Sequence, residues 1–332
     1  MSAFQQVLPS YPAYRSELVA AGASFPLATV PTSTAGLLGA LPAGERTGWP
    51  WNVQTPPRVV DTSAWPLITL VTPSFQQGEF IEETIRSVLL QNYPRLEYVV
   101  MDGGSTDRTV DIIERYRPWL SYARSVRDRG QSHAINFGFS LGSGQIYAWL
   151  NSDDFLLPGA LWRVAAAFRA GADFIYGDGL EFDESTGAWA HTTAKYAHAR
   201  YARYPGLLLS HATFWSAVRH QPVWEEQHCA MDYELWVRLL PGARARHLNA
   251  PLAVARRHPD AKTHDVKMRA RWDADAGRNY AAHPELYTPS PWLDREYRLV
   301  QQTARAWRRR GQAARLARLR SECGWVQPIA RD

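Results

Sequence analysis

Apolar positions along the chain change their period several times, and the changes mark out its elements. Leu67-Ile68-Thr69-Leu70-Val71 is a continuous β-branched run stopped by Pro73, the pattern of a buried strand. Phe80, Ile81, Thr84, Ile85, Val88 and Leu89 then recur at helical spacing until Asn92-Tyr93-Pro94 ends the helix. Tyr98-Val99-Val100-Met101 predicts a second strand that runs straight into Asp102-Gly103-Gly104-Ser105. Val110, Ile113 and Tyr116 predict a second helix, capped at Thr106 or Asp107. A weaker strand is expected near 122–126, a helix from 131 to 141, and a strand at Ile146-Tyr147-Ala148-Trp149-Leu150 that runs into Asn151-Ser152-Asp153-Asp154. Strands alternating with helices of about 10 to 15 residues predict an α/β fold with a mostly parallel central sheet flanked by helices.

The flanks read differently. Residues 1–64 are rich in Pro, Gly, Ala, Ser and Thr, and Gly48-Trp49-Pro50-Trp51 holds two aromatics that would be costly to leave in water. We read this stretch as an extended arm packed across a main domain of residues 65–265. Within that domain, order is less regular after Ala160: a strand near 174–176, a hairpin turning at Glu184-Ser185-Thr186-Gly187, and a helix from near Asp232 that buries Leu235, Trp236, Leu239 and Leu240. Residues 266–332 form a helical, basic C-terminal extension.

Composition narrows the function classes. A chain of 332 residues with 45% hydrophobic and 21% charged residues can bury a sizeable core and is not disordered. Cys229 and Cys323 are too far apart in sequence to suggest a disulfide framework or a metal-ligand spacing, which favours a reducing compartment. No stretch approaches the roughly 20 apolar residues that cross a bilayer, and the N-terminus lacks a secretory pattern. The expected location is the cytoplasm. Charge is uneven: from Pro251 onward, 17 lysines and arginines face 9 acids, while the preceding residues hold 20 against 23. A near-neutral body with a basic tail argues against a nucleic-acid binder and for one local anionic partner.

The strand ends carry the chemistry. In parallel α/β sheets, ligands bind beyond the carboxyl ends of the strands, and Pro73-Ser74, Asp102 and Asp153-Asp154 all fall there. Adjacent carboxylates repel, so the Asp153-Asp154 pair needs either a solvated turn or a cation. A hard divalent ion, Mg²⁺ or Mn²⁺, takes oxygen from one or two carboxylates and from substrate phosphates. Such an ion stabilises negative charge that develops on a phosphate oxygen without a proton. Taken singly, Asp102 also reads as a turn residue before Gly-Gly, and Asp232 as a helix cap.

The runs Thr72-Pro73-Ser74-Phe75, Asp102-Gly103-Gly104-Ser105-Thr106-Asp107 and Asn151-Ser152-Asp153-Asp154, in this order at successive strand ends, resemble the family 2 glycosyltransferases of the GT-A fold. The resemblance spans Pro66 to Thr263, about 200 of the 332 residues. It implies a nucleotide-diphospho-sugar donor, UDP- or dTDP-linked, and an inverting transfer to an acceptor hydroxyl. It also implies roles. Thr72, Pro73 and Ser74 would lie against the base and ribose, and Asp102 would recognise the uracil or thymine. Arg127, Asp128 and Gln131 would belong to the segment between base and metal. Asp153 and Asp154 match the DxD-type motif that binds the metal and touches the ribose; its first position is Asn151 here. Ala230-Met231-Asp232-Tyr233-Glu234 resembles the acceptor-side segment, which makes Asp232 the catalytic base and Glu234 the fallback; a Glu often precedes that Asp, where this chain has Met231. Arg256-Arg257-His258-Pro259-Asp260-Ala261-Lys262 resembles a closing segment, with His258 reaching the metal or diphosphate and Lys262 pairing with phosphate. His211 falls in a region that often lines the acceptor pocket.

The expected partners are the donor, a glycan or lipid-linked glycan acceptor, and, through the basic tail, the anionic inner face of a membrane. Tyr297, Val300, Ala304 and Trp307 recur at helical spacing among nine arginines between Arg295 and Arg320, which fits either a surface-lying membrane helix or a helix docked on its own domain. A sugar-phosphate nucleotidyltransferase is the nearest alternative, but its Gly-rich basic loop has no counterpart in Thr72-Pro73-Ser74-Phe75-Gln76. A carbohydrate-binding protein without catalysis could use the 14 tryptophans, yet needs no acidic strand ends. Neither a G-x-G-x-x-G fingerprint nor a P-loop is present.

Overall fold

The structure, a computed structural model, describes residues 8–44, 46–204, 206, 208–259, 261, 268–325 and 329–330. Its centre is a parallel unit of four strands: β1 (Ile68–Ser74), β2 (Leu96–Asp102), β3 (Tyr122–Ser125) and β4 (Ile146–Trp149), ordered β3-β2-β1-β4. β1 is buried along its whole length, as suits a central parallel strand rich in Ile, Leu, Val and Thr. Helices α2 (Ile81–Leu89), α3 (Thr109–Tyr116) and α4 (Gln131–Leu141) make the crossovers. Gly138 lets α4 approach β1 closely: a Cβ there would stand 2.4 Å from Val71 Cγ1.

Chain order places β2 and β3 on one side of β1 and β4 on the other, so the order reverses between β1 and β4. Such a reversal opens a crevice at the carboxyl ends of those two strands. Register does the rest, because Ser74 pairs with Asp102 and Asp102 with Ser125 at one level of the sheet.

Beyond β4 the sheet becomes mixed. β8 (Thr213–Ser216) pairs antiparallel with β4 and with β6 (Phe174–Asp183); β6 pairs antiparallel with β7 (Ala188–Thr192) and parallel with β9 (Ala245–Arg257). β5 (Phe155–Leu156) pairs antiparallel with β9, and β10 (Ile329–Ala330) parallel with β7. The local sequence signals the start of β6 and the turn at 184–187 that joins it to β7. The 13-residue β9 is not legible, since its first half is polar and half-exposed and Pro251 interrupts its register. Helices α5 (Ala160–Arg169), α6 (Met231–Leu239), α7 (Arg269–Ala282), α8 (Pro291–Arg308) and α9 (Gln312–Cys323) complete the fold, with short 3₁₀ turns between.

The N-terminal residues lie across this body, held by one buried cation. Arg86, 1% exposed, donates to the carbonyls of Pro42, Pro50 and Trp51 at 2.7, 3.0 and 2.8 Å and to the Tyr116 hydroxyl at 2.9 Å. Trp49 is buried, and its indole N–H donates to Leu156 O at 2.7 Å. Unlike the extended reading, Tyr11–Ala20 is a helix, α1, packed on α4. Trp215 Nε1 donates to His220 Nδ1 at 3.2 Å, which leaves the neutral ring's proton on Nε2, 2.6 Å from the Tyr11 hydroxyl. Burial pushes His220 down to about 3, which keeps that ring neutral.

Candidate active site

A cleft of about 1100 Å³ opens at the carboxyl edge of β1 and β4 and runs to the start of α6. Pro73 and Ser74 line it at one end, with Gly103, Arg127, Asp128 and Gln131. The loop after β2 is folded by Asp102. Its carboxylate accepts from Gly104 N at 3.1 Å, Ser105 N at 2.8 Å, and the Ser105 and Ser125 hydroxyls, both at 2.6 Å. Gly104 has φ +84°, and a Cβ there would stand 3.0 Å from Arg127 N, so only glycine fits. Asp128 accepts from Gly130 N at 2.7 Å, and burial raises its pKa, with Asp102 adding to the effect. Gln131 opens α4 and donates to Asn151 Oδ1 at 2.7 Å, tying that helix to the end of β4.

Asp153 and Asp154 both line the middle of the cleft. Asp154 is buried and accepts from Arg256 N at 3.2 Å. Burial, and then the neighbouring Asp153, push its carboxyl well above the ordinary range. Asp153 is more open and stands 3.3 Å from His258 Nε2, whose ring packs on Phe80 with centroids 4.5 Å apart. His258 Nδ1 has no partner among the described residues. No group of three His, Cys, Asp or Glu side chains among the described residues closes around one point. The set nevertheless suits a hard cation held by one or two carboxylates and otherwise by phosphate oxygens and water. Behind it, Arg256 pairs with Glu83 at 2.7 Å and with Glu184, and fixes the strand that carries His258.

The far end of the cleft is built on α6 and α7. Asp232 sits in the first turn of α6, half-buried, and accepts from Tyr233 N at 2.7 Å. Burial raises its carboxyl to about 6. Glu234, two residues on, is completely buried. Burial alone would raise its pKa, but His283 at 3.2 Å and Arg238 at 2.8 and 2.7 Å hold it below the ordinary carboxylate range. Glu234 is therefore a closed ion-pair member and no fallback base. The loop before α6 hangs on α7, where Asp275 Oδ2 accepts from His228 N, Cys229 N and Ala230 N at 2.8, 2.6 and 3.0 Å. Asn279, one turn on, accepts from Gln227 Nε2 at 2.6 Å. His211 also lines the cleft, and burial pushes it down to about 4, so it is neutral there.

Residues 69–226 match the sequence model of the family described as Glycosyl transferase family 2. This segment is a family 2 glycosyltransferase domain. The TuaG protein of Bacillus subtilis (strain 168), named a putative teichuronic acid biosynthesis glycosyltransferase, is 35% identical over 27% of this chain and 36% of its own length. The chain spans about a third of the length of the curated relatives it matches. Two solved structures share the fold. S. aureus TarS 1-349 has a TM-score of 0.50 at 17% identity over 73% of this chain and 92% of its own. The mannosyltransferase PcManGT of Pyrobaculum calidifontis, solved with GDP-Man and Mn²⁺, has a TM-score of 0.50 at 18% identity over 85% and 80%. The α/β fold is thus of the GT-A type.

Against that domain, the residues singled out from sequence fall into three groups. Pro73, Ser74, Arg127, Asp128, Gln131, Asp153, Asp154 and Asp232 line one cleft, with His258 beside Asp153. Thr72 does not line it; it is fully buried and hydrogen-bonds the Tyr98 hydroxyl at 3.1 Å, because alternation along β1 turns its side chain into the sheet's packing. Asp102 also lies outside the lining, its oxygens occupied by the loop it folds. Lys262 lies outside the described residues. Sequence reasoning missed Asp275, which accepts from distant backbone N–H groups, and the pairing of Arg256 with the carboxylates of Glu83 and Glu184. It also missed the aromatic wall of Trp272, Tyr280 and Tyr287; the i, i+3, i+4, i+7 stripe Trp272, Asp275, Ala276, Asn279 was the available signal.

Proposed function

We propose that this protein transfers a sugar from a nucleotide diphosphate sugar, UDP- or dTDP-linked, to an acceptor hydroxyl with inversion at the anomeric carbon. The observation that carries the reading is the span of one cleft from the Asp153-Asp154 pair to Asp232, whose carboxyl is raised to about 6. Pro73, Ser74 and Arg127 border the nucleotide, and Asp102 serves it by shaping the loop at Gly103. Asp153 and Asp154, with His258 beside them, would hold a divalent cation, Mn²⁺ or Mg²⁺, whose charge would offset that of the leaving diphosphate.

Asp232 takes the proton of the acceptor hydroxyl while that oxygen bonds to the anomeric carbon and the carbon–oxygen bond to the diphosphate breaks. A carboxyl near 6 is ionised at neutral pH yet basic enough to accept the proton. Among the described residues at this end of the cleft, no second carboxylate is free to act as nucleophile, since Glu234 is locked by Arg238 and His283. This favours a single displacement, hence inversion. Similarity to a protein named for teichuronic acid biosynthesis supports an acceptor in bacterial surface glycan assembly, free or lipid-linked. Action in the cytoplasm, at the inner face of an anionic membrane, goes with that acceptor. Residues 65–265 form the transferase unit, with 1–64 as its arm and 266–332 as its extension.

Purified protein given Mn²⁺ and a panel of nucleotide sugars should release free UDP or dTDP, and the donor itself should raise the melting temperature by mass action. Release of pyrophosphate from a nucleoside triphosphate would instead mark a nucleotidyltransferase. Stabilisation by glycans alone, with no nucleotide effect, would mark a binding protein.

A further inference from the structure

Helix α8 carries two apolar stripes, and only one is covered. Leu293, Tyr297 and Val300 turn inward against the domain, and Tyr297 stacks on Tyr204 with centroids 3.8 Å apart. The acids of the helix turn the same way. Asp294 accepts from the Tyr204 hydroxyl, and Glu296 accepts from Tyr201 at 2.7 Å and Arg200 at 2.8 Å. The outer side carries Trp292, Leu299 and Trp307, exposed by 67%, 60% and 60%. Arg295, Arg298 and Arg305 flank that ridge, all exposed and in no ion pair among the described residues. The described helix residues are thus sorted by charge as well as by polarity: Asp294 and Glu296 face the domain, and Arg295, Arg298, Arg305 and the two tryptophans face out.

Large apolar side chains gathered on one exposed face call for something to cover them. Tryptophan rings beside arginines suit the boundary between water and anionic lipid, where rings settle at the headgroups and guanidinium groups reach phosphate. We infer that this face of α8 docks the protein on an anionic bilayer surface. The sequence pattern alone proposed Tyr297, Val300, Ala304 and Trp307 for such a stripe, but Tyr297 and Val300 are packed; of the four only Trp307 belongs to the docking face, with Trp292 and Leu299. The orientation matters for the proposed reaction, and this part rests on the transferase reading. Arg203 lines the cleft and donates to Thr288 O at 2.8 Å, while Tyr204 beside it holds α8. A protein lying on α8 therefore keeps the acceptor end of its cleft close to the lipid, where a lipid-linked acceptor is presented.

Sedimentation of the full chain with phosphatidylcholine vesicles, and with phosphatidylcholine–phosphatidylglycerol vesicles, tests the docking. Binding is expected to the mixed vesicles and to weaken as salt screens the arginines. The triple variant Trp292→Ser, Leu299→Ser, Trp307→Ser should bind about tenfold or more weakly. Arg295→Gln, Arg298→Gln, Arg305→Gln should flatten the salt dependence. None of the six residues lines the cleft, so affinity for UDP with Mn²⁺ and the melting temperature should match wild type in both variants. Absence of nucleotide binding in the wild-type protein would count against the transferase reading and leave the docking result standing. Wild-type protein that does not sediment with anionic vesicles, or a serine triple variant that binds as well as wild type, would overturn the docking. So would a dimer lost in that variant without vesicle binding, which would make the ridge a contact between two copies.

Discussion

At one end of the cleft the side chains come from strand ends that adjoin in the sheet; at the other they come from a helix and a loop that no strand supports. Ser74, Asp102 and Ser125 share a level because β1, β2 and β3 are hydrogen-bonded in register, so backbone pairing alone sets their spacing. Asp232 has no such frame. Its place depends on Asp275 and Asn279 of α7, which hold the loop at Gln227–Ala230 through hydrogen bonds from elements more than forty residues away in sequence. The first end lies within the family-matched segment 69–226, whereas the loop at Gln227–Ala230, α6 and α7 lie beyond it. A sheet edge fixes a site by local rules, whereas a helix-and-loop site needs a partner to tie it down.

The strongest way to break this contrast is at the centre of the cleft. Asp154→Asn should lower turnover by about 10³-fold or more with the fold intact, and a chelator should do the same to wild type until Mn²⁺ or Mg²⁺ is restored. Full activity in excess chelator would remove the cation from the scheme. Asp232→Asn should cost roughly 10²-fold in transfer while donor affinity survives. The wild-type rate should rise as pH climbs through about 6, as Asp232 ionises. Because the folded carboxyl sits above its ordinary value, the unfolded chain binds fewer protons between about 4 and 6, and stability falls as pH rises through that window. Asp232→Asn should therefore gain on the order of 1–3 kcal/mol at neutral pH. A variant that transfers at the wild-type rate would reduce Asp232 to a helix residue. A product that keeps the donor's anomeric configuration would end the single-displacement scheme.

Smaller effects sharpen the difference between the two ends. Asp275→Ala leaves the N–H groups of His228, Cys229 and Ala230 without their acceptor and should cost about 2–3 kcal/mol. Hydrogen exchange at those amides should quicken, and kcat should fall about tenfold with the donor KM unchanged. A change in donor KM of the same size would mean that the loop serves the donor end instead. Thr72→Val should be the mildest, about 1 kcal/mol or less from the lost Tyr98 hydrogen bond, with nucleotide affinity unaltered. A fall in nucleotide affinity in that variant would return Thr72 to the donor site.

The sequence by itself determined the parts governed by short-range rules. The apolar runs of β1, β2 and β4 specify buried parallel strands, and polar residues directly after such strands must emerge at the sheet's carboxyl edge. That is why Ser74, Asp153 and Asp154 were legible as candidates, and why α4 was legible from its apolar spacing and its flanking glycines. Tertiary structure decided which neighbours each carboxylate meets. Asp232 and Glu234 are two residues apart on one helix, yet one is raised to about 6 in an open cleft and the other is held down by Arg238 and His283. The 3.6-residue turn points them in different directions, and only the packing of α7 and its C-terminal His283 against α6 supplies the histidine. The two stripes of α8 were hidden for the same reason. A helical repeat shows that apolar residues align, but which line is buried depends on where Tyr201 and Tyr204 come to lie, and contacts between residues some ninety positions apart leave no periodic trace in the chain.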